Sequence, residues 1–150
     1  MFTDPTTPNL TDFTTFVYNQ GVLSADLPAD SEYLVWAFNW AVALTIQSSN
    51  FPVIVYILAV YNLGMDRLIL VAQDIPPSTF WFGQRQIYGT LEQKPGITMA
   101  SGNGPSSDTL VVPDWYRDIP LDMQQAMKTP WGREYVSYTQ MYGSTIVAIA

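Results

Sequence analysis

The chain has 150 residues, of which 48% are hydrophobic and 13% are charged, with a net charge of −7 and neither histidine nor cysteine. The length suits one domain with its own core, and the low charge predicts an uncharged surface available to other chains or to lipid. The missing histidine and cysteine exclude a Ser-His-Asp triad, a thiolate metal site and a disulfide framework, and six basic residues leave no patch for a run of phosphates.

Two helices are predicted in the first third of the chain. Thr7-Pro8 has the pattern of a hydroxyl cap followed by a proline in the first turn, and Gly21 marks the end of that helix. A loop then brings Asp30 or Ser31 to the cap position of a second helix. Residues 31–50 are apolar almost all round, which a helix tolerates only in the centre of a core or an interface.

The third segment is long and apolar. Its β-branched opening, Val53–Tyr61, could form a buried strand. Asn62, Asp66 and Gln73 instead fall on one side at helical spacing, which favours a helix of about 20 residues up to the break at residues 76–77.

The second half predicts shorter elements. A helix is expected over residues 78–91, another in the stretch LDMQQAM, and a last one opening at Thr129-Pro130. Between them, residues 94–113 are rich in Gly, Pro and Ser and predict a long mobile loop. We therefore expect a mainly α fold: a helical bundle forming one domain over residues 1–143, with that loop and an extended C-terminal tail at 144–150.

A membrane span is a further alternative for the two apolar segments. Spanning helices need about 20 predominantly apolar residues. The uncharged apolar runs Phe51–Tyr61 and Tyr33–Ile46 are eleven and fourteen residues long, so both fall short and we expect no membrane association.

Candidate chemistry is sparse. Asp114, Asp118 and Asp122 recur every four residues, which on one helix would align three carboxylates for a hard cation. Pro120 breaks such a helix, so these residues are better explained as turn and helix-start residues. No acid stands beside a base at a useful spacing, and we expect neither an enzyme nor a bound cofactor or metal.

The predicted last helix carries an aromatic stripe. Trp131, Tyr135, Tyr138 and Tyr142 follow at helical spacing and share one face. Packing on the chain's own core is the common role of such a stripe, and an interface is the alternative, because Trp and Tyr are favoured anchors there.

The tail STIVAIA has no charged side chain and suits an extended strand after Gly143. The rest of the chain offers few strands to pair with it. We therefore predict that Ile146, Val147 and Ile149 dock on another subunit.

Three segments, in this order, resemble a known family: DFTTFVYNQGVLSADLPADSEYL, AVYNLGMDRLILVAQD and VPDWYRDIPLDMQQAMKTPWGREYVSYTQMYGSTIVAIA. They are similar to the small helical head–tail adaptor (connector) proteins of tailed bacteriophages. The resemblance implies a structural protein of the virion neck, made in the host bacterial cytoplasm. It would form a homo-oligomeric ring, commonly twelvefold, between the portal protein and a tail or neck protein, and DNA would pass through without specific binding.

The resemblance also implies roles for parts of this chain. Residues 131–150 would form the docking helix and tail, and residues 94–113 would contact a neighbour. In a ring that lines a DNA channel, acidic side chains would face the lumen and repel phosphates; Asp26, Asp30 and Glu32 are the residues we select for this role.

Other functions stay open. The chain could be another virion component, such as a tail terminator or a capsid-stabilising protein; a strand at residues 53–61 would suit a mixed α/β tail-completion protein. From a different class, a helical bundle could bind a small ligand in a pocket lined by aromatic residues, namely Trp36, Trp40, Tyr56 and Tyr61.

Overall fold

The computed structural model of the chain describes residues 3–47, 51–90, 97–100, 109–111 and 120–142, with the backbone alone in 97–100, 109–111 and 121–122. Within these residues the protein is mainly helical, as predicted. The helices are α1 (Leu10–Asn19), α2 (Glu32–Leu44), α3 (Val53–Val71), α4 (Phe80–Ile87), α5 (Leu121–Ala126) and α6 (Pro130–Tyr142). Two strands, β1 (Ile97–Ala100) and β2 (Thr109–Val111), complete the described elements.

The first helix begins later than the sequence predicted. Asn9 is its N-cap, and the Asn9 side chain accepts a hydrogen bond of 2.8 Å from the backbone N–H of Asp12. The hydroxyl of Thr7 instead donates to Asp4 at 2.6 Å, within a turn that precedes the helix. The predicted cap at Thr7 was therefore wrong, because Asn9 has the stronger local acceptor at the position where the chain becomes helical.

The later helix starts agree better with the sequence. Ser31 caps α2, and α6 begins at Pro130. The ambiguous opening of the third segment is helical, since α3 runs without a break over 19 residues from Val53. The strand alternative for Val53–Tyr61 is therefore wrong, and the bundle has no sheet in its core among the described residues.

Helix α3 lies at the centre of the bundle and contacts α1, α2, α4 and α6. Its middle is buried on every side, which explains why the sequence is apolar almost all round. Asn62 and Asp66 do not form a solvent-facing side, because they are only 6% and 4% exposed. The side-chain amide of Asn62 is satisfied locally by donating to the carbonyl of Leu58 at 2.8 Å.

By length and composition, α3 is also the one described helix that could cross a membrane. In this structure, however, 61% of its most apolar window is buried inside the chain's own fold. Its apolar character is thus accounted for by the surrounding helices.

A close helix crossing joins α1 to α3. Phe13 is fully buried, with its ring centroid 5.7 Å from that of Phe38 and 5.8 Å from that of Tyr61. The ring lies directly against Gly64, where an added Cβ would come within 2.8 Å of it. A glycine at this position therefore lets the two helices approach closely.

Helix α4 is attached to the bundle by polar contacts as well as by burial. Trp81 is fully buried and donates its indole N–H to the carbonyl of Asp26 at 3.1 Å. Asp74 accepts from the backbone N–H groups of Trp81 and Phe82 at 2.7 and 3.1 Å. Asp74 therefore supplies the acceptors for the start of α4, where Thr79 makes no side-chain cap.

The two strands lie inside the segment predicted as a loop, residues 94–113. They pair in antiparallel register, with Ile97 opposite Val111 and Thr98 opposite Leu110. The remainder of that segment and the tail at 144–150 lie outside the described residues, so the predictions of a mobile loop and an extended tail stay predictions.

Candidate subunit interface and adjoining cleft

The outer face of α2 exposes apolar side chains to solvent. We call this surface the α2 strip; at helical spacing it comprises Val35, Trp36, Asn39, Ala43 and Leu44. Val35, Trp36 and Leu44 are 43%, 48% and 50% exposed. A surface helix normally carries charged residues on this side, whereas α2 has Glu32 as its one charged residue and no lysine or arginine. The strip therefore has the composition of a surface that another molecule covers.

A cation lies beside the strip. The guanidinium carbon of Arg67 is 5.0 Å from the ring centroid of Trp36 and 4.6 Å from that of Trp40. The two tryptophans are one helical turn apart on α2, so they hold the cation between α2 and α3. Such stacking stabilises a guanidinium by about 0.5–2 kcal/mol and fixes its orientation.

A cleft of about 210 Å³ opens next to this cation, between α2, α3, α5 and α6. Most of its lining is apolar, and the polar groups are Asp66, Arg67, Gln125 and Tyr135. The apolar lining residues are Trp40, Leu44, Leu63, Leu70, Met123 and Ala126.

Asp66 is the most buried ionisable group of the cleft. Burial raises its pKa to about 6, against the lowering effects of a hydrogen bond from Thr129 and the charge of Arg67. Thr129 donates its hydroxyl to Oδ1 of Asp66 at 2.5 Å and accepts the backbone N–H of Gly132 at 2.9 Å. Asp66 thus ties α3 to the start of α6.

The aromatic stripe of α6 packs on the chain's own core, the first of the two roles that the sequence allowed. Trp131, Tyr135, Tyr138 and Tyr142 are half-buried against the core cluster. The Trp131 ring lies 5.8 Å from Tyr88, and Tyr142 lies 5.9 Å from Phe51. Any further contact with another chain stays a prediction.

The phenol of Tyr138, on the same stripe, is held in its neutral form. Burial, then a hydrogen bond with Glu134 and the charge of that carboxylate, raise the pKa of Tyr138 to about 12. Its phenol therefore stays neutral, and acts as a structural group.

The remaining predicted interface residues, Ile146, Val147 and Ile149, lie outside the described residues. Of the predicted channel-facing acids, Asp30 and Glu32 are exposed at the start of α2. Asp26 is 8% exposed and accepts the hydroxyl of Ser78 at 2.5 Å. Its carboxylate is used inside the chain, which does not fit a role facing solvent.

The four aromatic residues proposed to line one ligand pocket lie at different places. Trp40 lines the cleft, whereas Trp36 is half-exposed on the α2 strip. Tyr61 is buried against Phe13 at the crossing of α1 and α3, and Tyr56 packs with Phe51 at the start of α3. They therefore form no common pocket.

The described residues hold no group of three or more Asp or Glu side chains placed for a metal ion. Asp114 and Asp118 lie outside those residues, and the side chain of Asp122 is not described.

Comparisons of the chain with protein-family models, with characterised proteins and with solved structures give no match.

Sequence reasoning did not identify the α2 strip, Arg67 or the cleft. A usable signal was present, because residues 33–46 contain no charged side chain and yet follow a helix start. The pattern could not show which side of α2 faces solvent, since the helix has no polar face to define it.

Proposed function

We propose that the chain is a structural subunit of a larger assembly and that it contacts its neighbour through the α2 strip. The observation that carries this proposal is the exposure of Val35, Trp36 and Leu44 on a helix without basic residues. Removing apolar surface from water contributes about 25 cal/mol per Å², so covering this face would favour association. Trp and Arg are also the residue types most enriched where interfaces bind most tightly.

The kind of assembly that we propose is the head–tail connector of a tailed bacteriophage. The support is the resemblance of the three segments quoted above, together with the mainly helical bundle that this family implies. In this proposal the subunit forms a ring, commonly twelvefold, in the neck of the virion. It binds the portal protein on one side and a tail or neck protein on the other.

The charge of the chain supports a channel through which DNA passes without being held. The net charge is −7, and Asp30 and Glu32 are exposed at one end of the α2 strip. Carboxylates facing a lumen repel phosphates and so prevent adhesion of the genome. A lumen lined instead by Arg67, Arg85 and Arg117 would contradict this part of the proposal.

The experiment that tests the interface is a pair of substitutions on the strip and outside the lining of the cleft, Val35→Glu and Ala43→Glu, made together. Both side chains are exposed, so the isolated subunit should unfold within about 1 kcal/mol of the original chain. Its incorporation into particles should be lost, because two buried carboxylates without partners oppose the contact. The matched control is Leu23→Glu, since Leu23 is 64% exposed in the α1–α2 loop and outside the strip.

The control variant should assemble normally. If the strip variant folds and is incorporated as efficiently as the control, the α2 strip is not an interface and the proposal fails. If both variants lose incorporation, a general effect of added charge explains the loss and the strip has no special role.

A further inference from the structure

We infer that the cleft beside Arg67 is a binding site for a small organic carboxylate with an apolar body, the carboxylate pairing with the guanidinium and the body lying among the leucines of α3. This inference goes beyond the proposed function and does not depend on it. It rests on the environment of Arg67, on the lining of the cleft and on its size.

In the part of the chain that the structure describes, Nε of Arg67 is buried without a hydrogen-bond acceptor. The ion pair formed there, Arg85 with Asp74, does not include Arg67. Trp36 and Trp40 cover the guanidinium without offering an acceptor. A buried donor left unpaired destabilises the protein, and more so when the group is charged, so a ligand that supplies the acceptor recovers this free energy.

The fork of N–H groups on a guanidinium matches a carboxylate in geometry and charge. The stacked tryptophans pre-orient this fork, so little side-chain freedom is lost when an anion binds. A carboxylate is therefore the acceptor chemistry that best completes Arg67.

The cleft limits the rest of the ligand. A volume of about 210 Å³ accommodates one ring or a short branched chain, and Leu63, Leu70 and Met123 offer it apolar contacts. The four helices that bound the cleft all belong to one chain, so a free small molecule can fill it without a second subunit. We therefore assign the site to a free carboxylate rather than to an acidic side chain of a partner.

Asp66 makes the site sensitive to pH. The charged groups that line the cleft in the described part of the chain are Asp66 and Arg67 on α3; Tyr135 on α6 is the other titratable group, and Gln125 on α5 is neutral. An ionised Asp66 offsets the positive charge of Arg67, whereas a protonated Asp66 does not. Because burial raises the pKa of Asp66 to about 6, a bound anion should favour its protonated form and bind more tightly as the pH falls.

The test is calorimetric titration of the full chain with sodium benzoate and with benzamide, its neutral counterpart of the same shape, at roughly pH 5 and pH 7.5. Benzoate should bind about tenfold more tightly than benzamide, and more tightly at the lower pH. Arg67→Gln should weaken benzoate binding about tenfold, and Asp66→Asn should remove the pH dependence. Arg133→Gln is the control, since Arg133 is exposed on α6.

The comparison of benzoate with benzamide uses the unaltered chain, so it stays decisive even if Arg67→Gln fails to fold. Equal binding of the two probes, unchanged benzoate binding by folded Arg67→Gln, or no saturable benzoate binding at about 10 mM would each overturn the inference. N-acetylaspartate amide imitates an acidic side chain of a protein. If the chain binds it as tightly as benzoate, the site belongs to a protein carboxylate and the inference is also overturned. None of these outcomes bears on incorporation of the α2 strip variants, so the two proposals fail separately.

Discussion

Thr129 links α3 to the start of α6 through one hydroxyl group. The hydroxyl donates to Asp66 on α3 and accepts from the backbone of Gly132, so it also serves as the cap of α6. Thr129 is fully buried, and the loss of this group would leave a buried carboxyl without its donor. The arrangement makes Asp66 a structural group whose protonation state affects stability.

The first prediction concerns Asp66→Asn. The pKa of Asp66 is raised from 3.8 to about 6 in the folded chain, so its contribution to stability is fully present below about pH 4 and is lost as the pH rises through 6. The shift corresponds to about 3 kcal/mol by linkage. Asparagine carries no charge and its Oδ1 can still accept from Thr129. The variant should therefore gain up to about 3 kcal/mol relative to the original chain between pH 4 and pH 7, measured by urea unfolding.

The difference between the two proteins isolates Asp66 from other acids that titrate in the same range. Burial raises the pKa of Asp12, but hydrogen bonds from Thr3, Asp4 and Asn9 outweigh burial and hold it well below its usual range. Asp12 therefore stabilises the fold above its usual pKa and loses that effect in acid, in the opposite direction to Asp66. If the difference in stability between the two proteins does not change with pH, the pKa of Asp66 is not raised in the folded chain.

The second prediction compares two glycines. A Cβ at Gly132 would lie 1.9 Å from the carbonyl oxygen of Ala126, where α5 meets α6. Backbone cannot move aside as a side chain can, so Gly132→Ala should destabilise the protein by more than about 3 kcal/mol. Gly83→Ala on α4 is the control: nothing lies within 4 Å of its added Cβ, and it should stabilise by about 0.5–1 kcal/mol. Equal melting temperatures for the two variants would contradict the described junction of α5 and α6.

At the scale of elements, α4 depends on hydrogen bonds with residues at and just after the end of α3. Arg85 donates to the carbonyls of Ile69 and Ala72 at 3.1 and 2.7 Å and lies 3.8 Å from the carboxylate of Asp74. The arginine of α4 thus satisfies free carbonyls of α3, while Asp74 satisfies free N–H groups of α4. The two helices supply each other's terminal hydrogen bonds.

The third prediction follows from this exchange. Asp74→Ala removes two acceptors from the start of α4 and should destabilise the protein by about 1–2 kcal/mol. Asp74→Asn keeps one oxygen as an acceptor and should lose less. Urea unfolding followed by tryptophan fluorescence measures both, since Trp81 is buried on this helix. An alanine variant as stable as the original would show that α4 is held by burial alone.

The elements that the sequence predicted well are those with local signals. Ser31 and Pro130 mark the starts of α2 and α6 because capping and proline geometry act within one turn. The burial of Asp66 has no such signal, since its partner Thr129 is 63 residues away in the chain. The cleft and the stacking of Arg67 likewise depend on how α2 and α3 face each other, which single-sequence spacing does not encode.

For the whole molecule, some aromatic side chains pack on the core and others are exposed to solvent, and composition alone could not predict which. Trp131 and Tyr142 at the two ends of the α6 stripe pack on the core, whereas Trp36 is half-exposed on α2. Both helices carry aromatic residues at helical spacing, but α6 has polar residues on its other side that define an inner face. The surface available to a partner therefore lies on α2, a helix whose sequence is apolar almost all round and so resembles a core helix.

The fourth prediction concerns deletion of residues 144–150. If this tail docks on a neighbour, the truncated subunit should unfold close to the temperature of the full chain but fail to assemble. Burial of two or three of its branched side chains within the same chain would instead be worth about 1.5–3 kcal/mol each, and the deletion would lower the unfolding temperature strongly. A strongly destabilised subunit, or a stable one that assembles normally, would contradict docking on a neighbour.

The central claim, that the α2 strip contacts a neighbouring subunit, is tested most directly by a cryo-EM reconstruction of an assembly that contains the chain. The quantity to measure is the exposed fraction of Trp36 and Leu44, which is 48% and 50% in the isolated chain. We predict that both side chains become buried against a neighbouring subunit of a ring. A reconstruction in which they stay in contact with solvent, while other surfaces form the contacts, would contradict the claim.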